Sequence, residues 1–221
     1  MNITAKTIDG SSHTSPVDRY HDLCPVCHAN IYPMLLASVA SGDPQHLRIQ
    51  SAFLCTRREC QAVFVGTYLS NVPGSMRLAT VAPKTAKRQE FQEVVAKVSP
   101  TFVEIYNQCL VAEAAGLGQL TGIGLRKALE FLVKDYLVDQ TPADKEAILG
   151  KPLAACIKEL IKDPNIQQCA ERATWLGNDE THYLRVWDKD VEYLKILIGL
   201  TVNWVANVLL TRKIAAEMPK P

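Results

Sequence analysis

Three textures follow one another along this chain of 221 residues. The first twenty residues, MNITAKTIDGSSHTSPVDRY, are rich in Ser, Thr, Asp and Gly and carry no sustained hydrophobic period, which predicts a flexible tail over 1–20. From 21 to 82 the apolar residues gather into short runs, IYPMLLASVA, LRIQSAFL and AVFVGTYL, separated by SGDP and by a turn bounded by cysteines. Such runs between turn formers predict three strands and a small β module over 21–82.

From 83 to 221 the period lengthens to that of helices. AKRQEFQEVVAKV reads as a first helix, and Pro100, well placed at a helix start, opens a second over TFVEIYNQCLVAEAAG. In GLRKALEFLVKDYLV, residues Leu125, Ala128, Leu129, Leu132 and Tyr136 recur at spacings of three and four, giving one apolar helix face. Thr141-Pro142 is a stop, LAACIKELI and IQQCAERATWL are shorter helical segments, and GND at 177–179 reads as a loop. A last long helix is expected from about Asp188. There Val191, Leu194, Leu197, Ile198, Val202, Val205 and Leu209 form a stripe, and Leu200, Trp204 and Val208 widen the apolar arc beyond what one neighbouring helix covers. Two arrangements satisfy so wide an arc: a central place in a helical bundle, or a subunit interface, which for helices of this kind commonly gives a two-fold homodimer. The fold class expected is α+β, a small N-terminal β module followed by a mainly α-helical bundle over 83–221. No internal repeat of fixed period is present in the sequence.

Composition narrows the picture. With 48% apolar residues the chain can bury a real core, and 24 Lys and Arg against 23 Asp and Glu leave no global field that would drive it onto nucleic acid or an anionic membrane. Any such binding needs a local patch. The polar N-terminus lacks the apolar stretch of a secretory signal, which points to a cytoplasmic protein in which disulfides are not expected. The most apolar run, Ile196 to Leu210, is interrupted by Asn203 and falls short of the roughly 20 apolar residues that span a bilayer, so no membrane is expected as partner.

The chemistry is concentrated in two close cysteine pairs, Cys24-Pro-Val-Cys27 and Cys55-Thr-Arg-Arg-Glu-Cys60. Two chelating turns of this spacing can place four thiolates about 2.3 Å from one tetrahedral zinc ion, and four thiolates leave no open position for water or substrate. A structural zinc site on Cys24, Cys27, Cys55 and Cys60 is the reading, and the module is zinc-ribbon-like. The competing reading, a redox-active Cys-x-x-Cys, requires a following helix, whereas β-type runs follow here. Because Cys55 ends one such run and Cys60 opens the next, the second pair is expected to cap a hairpin. His21 and His28 flank the first pair and stay outside the ligand set; Cys109, Cys156 and Cys169 lie in helical patterns as small core residues.

In the helical part, Arg126 and Glu130 sit one turn apart, as do Asn178 and His182 if that stretch is helical. With Gly177 permitting a sharp helix entry, Asn178 and His182 are expected to lie together in an inward site facing Arg126 or Glu130, pinned by Trp175 and Leu176 and shielded by Tyr183 and Trp187. The plain alternative is a capping or core histidine and an arginine satisfied by a nearby carboxylate. LRKALE at 125–130, followed some fifty residues later by Gly177, Asn178 and His182, resembles the domain of unknown function numbered 4145, over about residues 98–210. That family is similar to the HEPN superfamily of helical domains, and the resemblance implies a dimer, a zinc module in front of the helices, and a setting in toxin or phage-defence systems. Two functions follow for the chain. One, read from the residues themselves, is a non-catalytic module that recognises an RNA, DNA or protein partner, with Arg57, Arg58, Arg77, Lys84, Lys87 and Arg88 as local cations. The other is a metal-independent ribonuclease with His182 as general acid or base and Asn178 and Arg126 as candidate site residues. The sequence departs from the nuclease pattern at Gly177, which stands where an arginine would precede Asn178.

Overall fold

A computed structural model of the chain describes residues 1–43, 46–72, 75–184 and 186–219. It is a mixed α+β protein of two compact units, Met1–Lys87 and Arg88–Pro221. The division falls five residues beyond the boundary expected at 82/83, because the segment after the last strand is tied to the first unit: the Thr85 hydroxyl donates to the Pro25 carbonyl and lies 3.2 Å from Nε2 of His28.

The first unit is a six-stranded sheet of β1 (Asn2–Lys6), β2 (Ser12–Pro16), β3 (Met34–Ser41), β4 (Arg48–Leu54), β5 (Val63–Val72) and β6 (Ser75–Ala82), in the order β2-β1-β3-β4-β5-β6. All neighbours are antiparallel except β1 and β3. The sheet curls until its two edges meet. Val17 bridges Met76 in parallel, the Asp18 amide donates to the Met76 carbonyl at 3.0 Å, and the Leu78 amide donates to Asp18 Oδ1 at 3.0 Å. Register puts Leu35, Phe53 and Phe64 side by side on the inner face, then Ser38, Ser51 and Gly66, then Ala40, Ile49 and Tyr68. Phe53 and Phe64 stack with centroids 5.5 Å apart, and the Ser38 and Ser51 hydroxyls satisfy each other at 2.8 Å inside the core. A Cβ on Gly66 would come within 3.2 Å of Phe53 and 3.3 Å of Leu78, so a side chain there would press on the core residues of both flanking strands.

Two sequence expectations are corrected in this unit. Residues 1–20 are not a flexible tail: they supply β1 and β2, with Ile3 and Ala5 fully buried between exposed Asn2, Thr4 and Lys6. The inward set is Ile3 and Ala5 in β1 and the polar Ser15 in β2, too few apolar residues to register as a hydrophobic period. The expected three strands are joined by β6 as well, whose inward Met76 and half-buried Leu78 are masked by Arg77 and Thr80 in the sequence.

The second unit contains α1 (Glu93–Val98), α2 (Pro100–Ala114), α3 (Gly118–Gln140), α4 (Lys145–Gly150), α5 (Leu153–Ala155) continuing into a π-helical turn (Cys156–Leu160), α6 (Pro164–Asp179) and α7 (Val191–Glu217). The face read from the sequence is the buried face of α3, with Leu125, Ala128, Leu129 and Leu132 fully enclosed and Tyr136 nearly so. The first helix is shorter than expected. Before it, Gln89 is held by Asn107, whose side chain accepts from the Gln89 amide at 2.7 Å and donates to its carbonyl at 3.1 Å, an arrangement that replaces helical bonds. Nor is GND a loop: α6 runs through Asp179. Asp163 caps its start by accepting from the Asn165 and Ile166 amides, and Asp190 caps α7 by accepting from Tyr193. On α7 the stripe faces the core, Val208 packs at its margin, and Leu200 and Trp204 remain on the surface. Among the described residues α7 alone is long and apolar enough to cross a membrane, yet Leu194, Ile198, Val202 and Val205 are spent on the bundle core.

Candidate metal centre

Two turns of the same design build the site. In the first, the Cys24 amide donates to the Ala29 carbonyl and the His28 amide to the Cys24 carbonyl, both at 2.9 Å; in the second, the Cys55 amide donates to the Ala62 carbonyl at 2.9 Å and the Gln61 amide to the Arg57 carbonyl at 3.0 Å. Each ends in Cys-X-Ala with X left-handed, His28 at φ 55° and Gln61 at φ 47°. Non-glycine residues seldom adopt that conformation, and here it reverses the chain just after the second cysteine of each pair. The matching triplets Cys27-His28-Ala29 and Cys60-Gln61-Ala62 were visible in the sequence but carry no obvious signal without the geometry.

The four sulfurs of Cys24, Cys27, Cys55 and Cys60 all lie within 4.8 Å of one another. Cys24 Sγ is 3.8 Å from Cys60 Sγ, and Cys27 Sγ is 3.9 Å from Cys55 Sγ. Those separations are nearly twice a disulfide bond of about 2.05 Å. They agree with the roughly 3.8 Å between thiolates set tetrahedrally about 2.3 Å from a common ion. The cluster is therefore a possible tetrahedral metal site, with Cys24 and Cys55 buried and Cys27 and Cys60 half-buried. The amides of Val26 and Cys27 donate to Cys24 Sγ from 3.4 and 3.5 Å. The Ala29 amide draws the Cys27 thiol down to about 7, whereas burial pushes the Cys55 thiol up to about 12. As expected from the sequence, the second pair caps the β4–β5 hairpin. His21 packs edge-on to Phe64 and His28 turns to Thr85, so neither belongs to the cluster.

No family model, curated protein or solved structure matches the chain.

The candidate residues of the helical unit divide. Arg126 and Asn178 are brought together: Arg126 Nε donates to Asn178 Oδ1 at 3.0 Å, while Nη1 lies 3.5 Å from Glu130, which also pairs with Lys134 at 2.7 Å. Gly177 makes this approach possible, since a Cβ there would fall 2.6 Å from Cδ and 3.0 Å from Cβ of Arg126. His182 does not join them. It lies on an exposed bend beyond α6, and its ring makes no hydrogen bond or ion pair among the described residues. The helix ends at Asp179, so the one-turn spacing from Asn178 no longer fixes where His182 points. Leu176 is buried as expected, but Trp175 stacks on Trp187 at 5.8 Å and Tyr183 is 100% exposed, so neither aromatic screens the histidine. Asp179, whose sequence position suggests a charge at a helix N-terminus, instead ends α6 and organises the loop after it: buried, it accepts from the Val186 and Trp187 amides at 3.0 and 2.7 Å. An aspartate immediately after the Gly-Asn pair was the available signal.

Proposed function

We propose that the N-terminal unit is a structural zinc module and that the chain is a recognition protein, with partner binding instead of catalysis as its role. The supporting observation is the set of four sulfurs at tetrahedral spacing, on two turns whose backbone bonds are complete. Four thiolates saturate a tetrahedral ion, so such a site braces loops and activates no water. A four-cysteine set also accepts iron, and zinc is the reading because the site needs only a closed, redox-silent brace. Elemental analysis of purified protein tests this: one zinc per chain is expected, and iron, or zinc far below one, overturns it. Dimerisation through the C-terminal helices belongs to the same proposal and rests on exposed Leu200 and Trp204; a monomer by light scattering at high concentration would refute it.

A second reading, a metal-independent HEPN-like ribonuclease, draws on one observation, the Arg126–Asn178 hydrogen bond, which supplies a guanidinium where Gly177 cannot. It weighs less because His182 stands apart. RNA cleavage that is lost in His182→Ala would reverse the order of the two readings.

A further inference from the structure

Antiparallel register places the start of β3, the end of β4, the start of β5 and the end of β6 at one end of the sheet. Three connecting segments gather there: the turn carrying Cys24 and Cys27, the turn carrying Cys55 and Cys60, and the strand exit after Ala82. The third is fastened to the first by Thr85 through Pro25 and His28. Arg57 and Arg58 thus project from one metal turn, while Lys84 and Lys87 flank the residue that is tied to the other, and all four are exposed. The acidic side chains on these segments are Asp22 and Glu59. Glu59 meets Arg57 at 3.7 Å, a solvent-exposed pair of small energetic weight. The surplus is positive in a unit that carries eight basic against five acidic side chains, in a chain otherwise near neutrality.

At the same end of the sheet stands Tyr32, 77% exposed. It precedes β3 by two residues, and Met34 at the head of β3 pairs with Leu54, the neighbour of Cys55, so the ring belongs to the same end as Arg57 and Arg58. Val26 and Val63 are exposed apolar neighbours at that end of the unit. A duplex offers phosphates to the cations but keeps its base faces stacked, leaving the tyrosine and the valines without a role. An unpaired strand uses both, its phosphates on the Arg and Lys side chains and a base face on the ring.

We infer that the metal-turn end of the β unit, through Arg57, Arg58, Lys84, Lys87 and Tyr32, binds single-stranded nucleic acid. The inference rests on the zinc-module reading, because the metal is what holds the two turns in place. Cations on two separate segments, the second cysteine turn and the strand exit tied to the first turn, become one surface only while those segments stay fixed.

The test uses full-length, zinc-loaded protein with fluorescent twelve-residue oligo(U), oligo(dT) and a duplex of equal length, read by anisotropy. Single strands are expected to bind more tightly than the duplex. Four phosphate contacts imply about a fiftyfold loss of affinity between 50 and 200 mM salt. Arg57→Glu with Arg58→Glu should weaken binding at least about tenfold, and Tyr32→Ala should weaken single-strand binding about fivefold or more while sparing the duplex. Lys84→Ala with Lys87→Ala, outside the cysteine turns, serves as the second charge variant should the first lose zinc. Comparison of oligo(U) with oligo(dT) assigns RNA or DNA. Wild-type protein that holds one zinc yet binds no strand, binds duplex equally well, or binds unchanged in Tyr32→Ala and in the lysine variant overturns this inference alone. Protein that holds no zinc overturns the metal reading.

Discussion

Among the described residues the β unit encloses nine core side chains over 1–87, and the helical unit twenty-seven over 88–221. For its length the helical unit has roughly twice the supply of buried side chains, and burial is what offsets the conformational entropy lost on folding. The β unit differs in two further ways: its sheet closes on itself, and two of its loops converge on four cysteines. The helical unit needs neither. Its stability resides in continuous faces such as that of α3, and its polar contacts decorate a core that is already complete.

The largest effect that would sharpen this contrast is metal removal. A structural four-cysteine zinc site contributes on the order of 10 kcal/mol, so a strong chelator, or Cys24→Ser or Cys55→Ser, should unfold the β unit while the helical circular dichroism persists. Loss of both signals together would show that the units do not stand independently. The same site sets a pH dependence. Ligation requires thiolates, the Ala29 amide draws the Cys27 thiol down to about 7 while burial pushes Cys55 up to about 12, and metal binding should therefore expel protons. Affinity should fall as pH falls, by about tenfold for each proton expelled per pH unit. A chelator competition that gives the same constant at pH 6 and pH 8 would contradict it.

Next in size is Leu129→Ala, which opens a cavity in the fully enclosed face of α3 and should cost about 2–5 kcal/mol in the helical melt. Zinc content should not change; if it does, the comparison of two self-contained units breaks. Gly177→Ala is smaller, about 1–3 kcal/mol, because the added methyl presses on Arg126. Trimming that side chain in Gly177→Ala/Arg126→Ala should recover part of the loss, and a strictly additive double mutant would sink the packing argument. Last comes His182→Ala, with an expected change within about 0.5 kcal/mol because the ring is exposed and unpaired. A large drop in melting temperature would give the histidine a structural role that its position does not suggest.

The cysteine site and the face of α3 were legible for the same reason, since each writes its geometry into residue spacing: two chelating turns in one case, a 3.6-residue period in the other. β1 and β2 were not, because two inward residues such as Ile3 and Ala5 make no period, and their membership in the sheet is decided by partners thirty or more residues away, among them Val39 and Met76. The GND segment was misread through its composition. Loop-forming residues stay helical there because Gly177 admits Arg126, Asn178 accepts its hydrogen bond, and Asp179 spends its carboxylate on the following turn. The pairing of Arg126 with Asn178 was anticipated from residue type, whereas the departure of His182 depended on where α6 stops.

The meeting of Val17 with Met76 also bears on how the protein behaves among copies of itself. An open sheet presents unpaired amides and carbonyls along its outer strands, which is a template for strand addition by neighbouring molecules. Here Asp18 occupies both the Met76 carbonyl and the Leu78 amide, and β1 covers the flank of β3. The N-terminal hairpin is thus a guard against intermolecular pairing as much as a part of the core. A chain trimmed at residue 18 would present two raw strand edges beside Met76 and Val39, and it would be expected to aggregate even with its cysteine cluster intact.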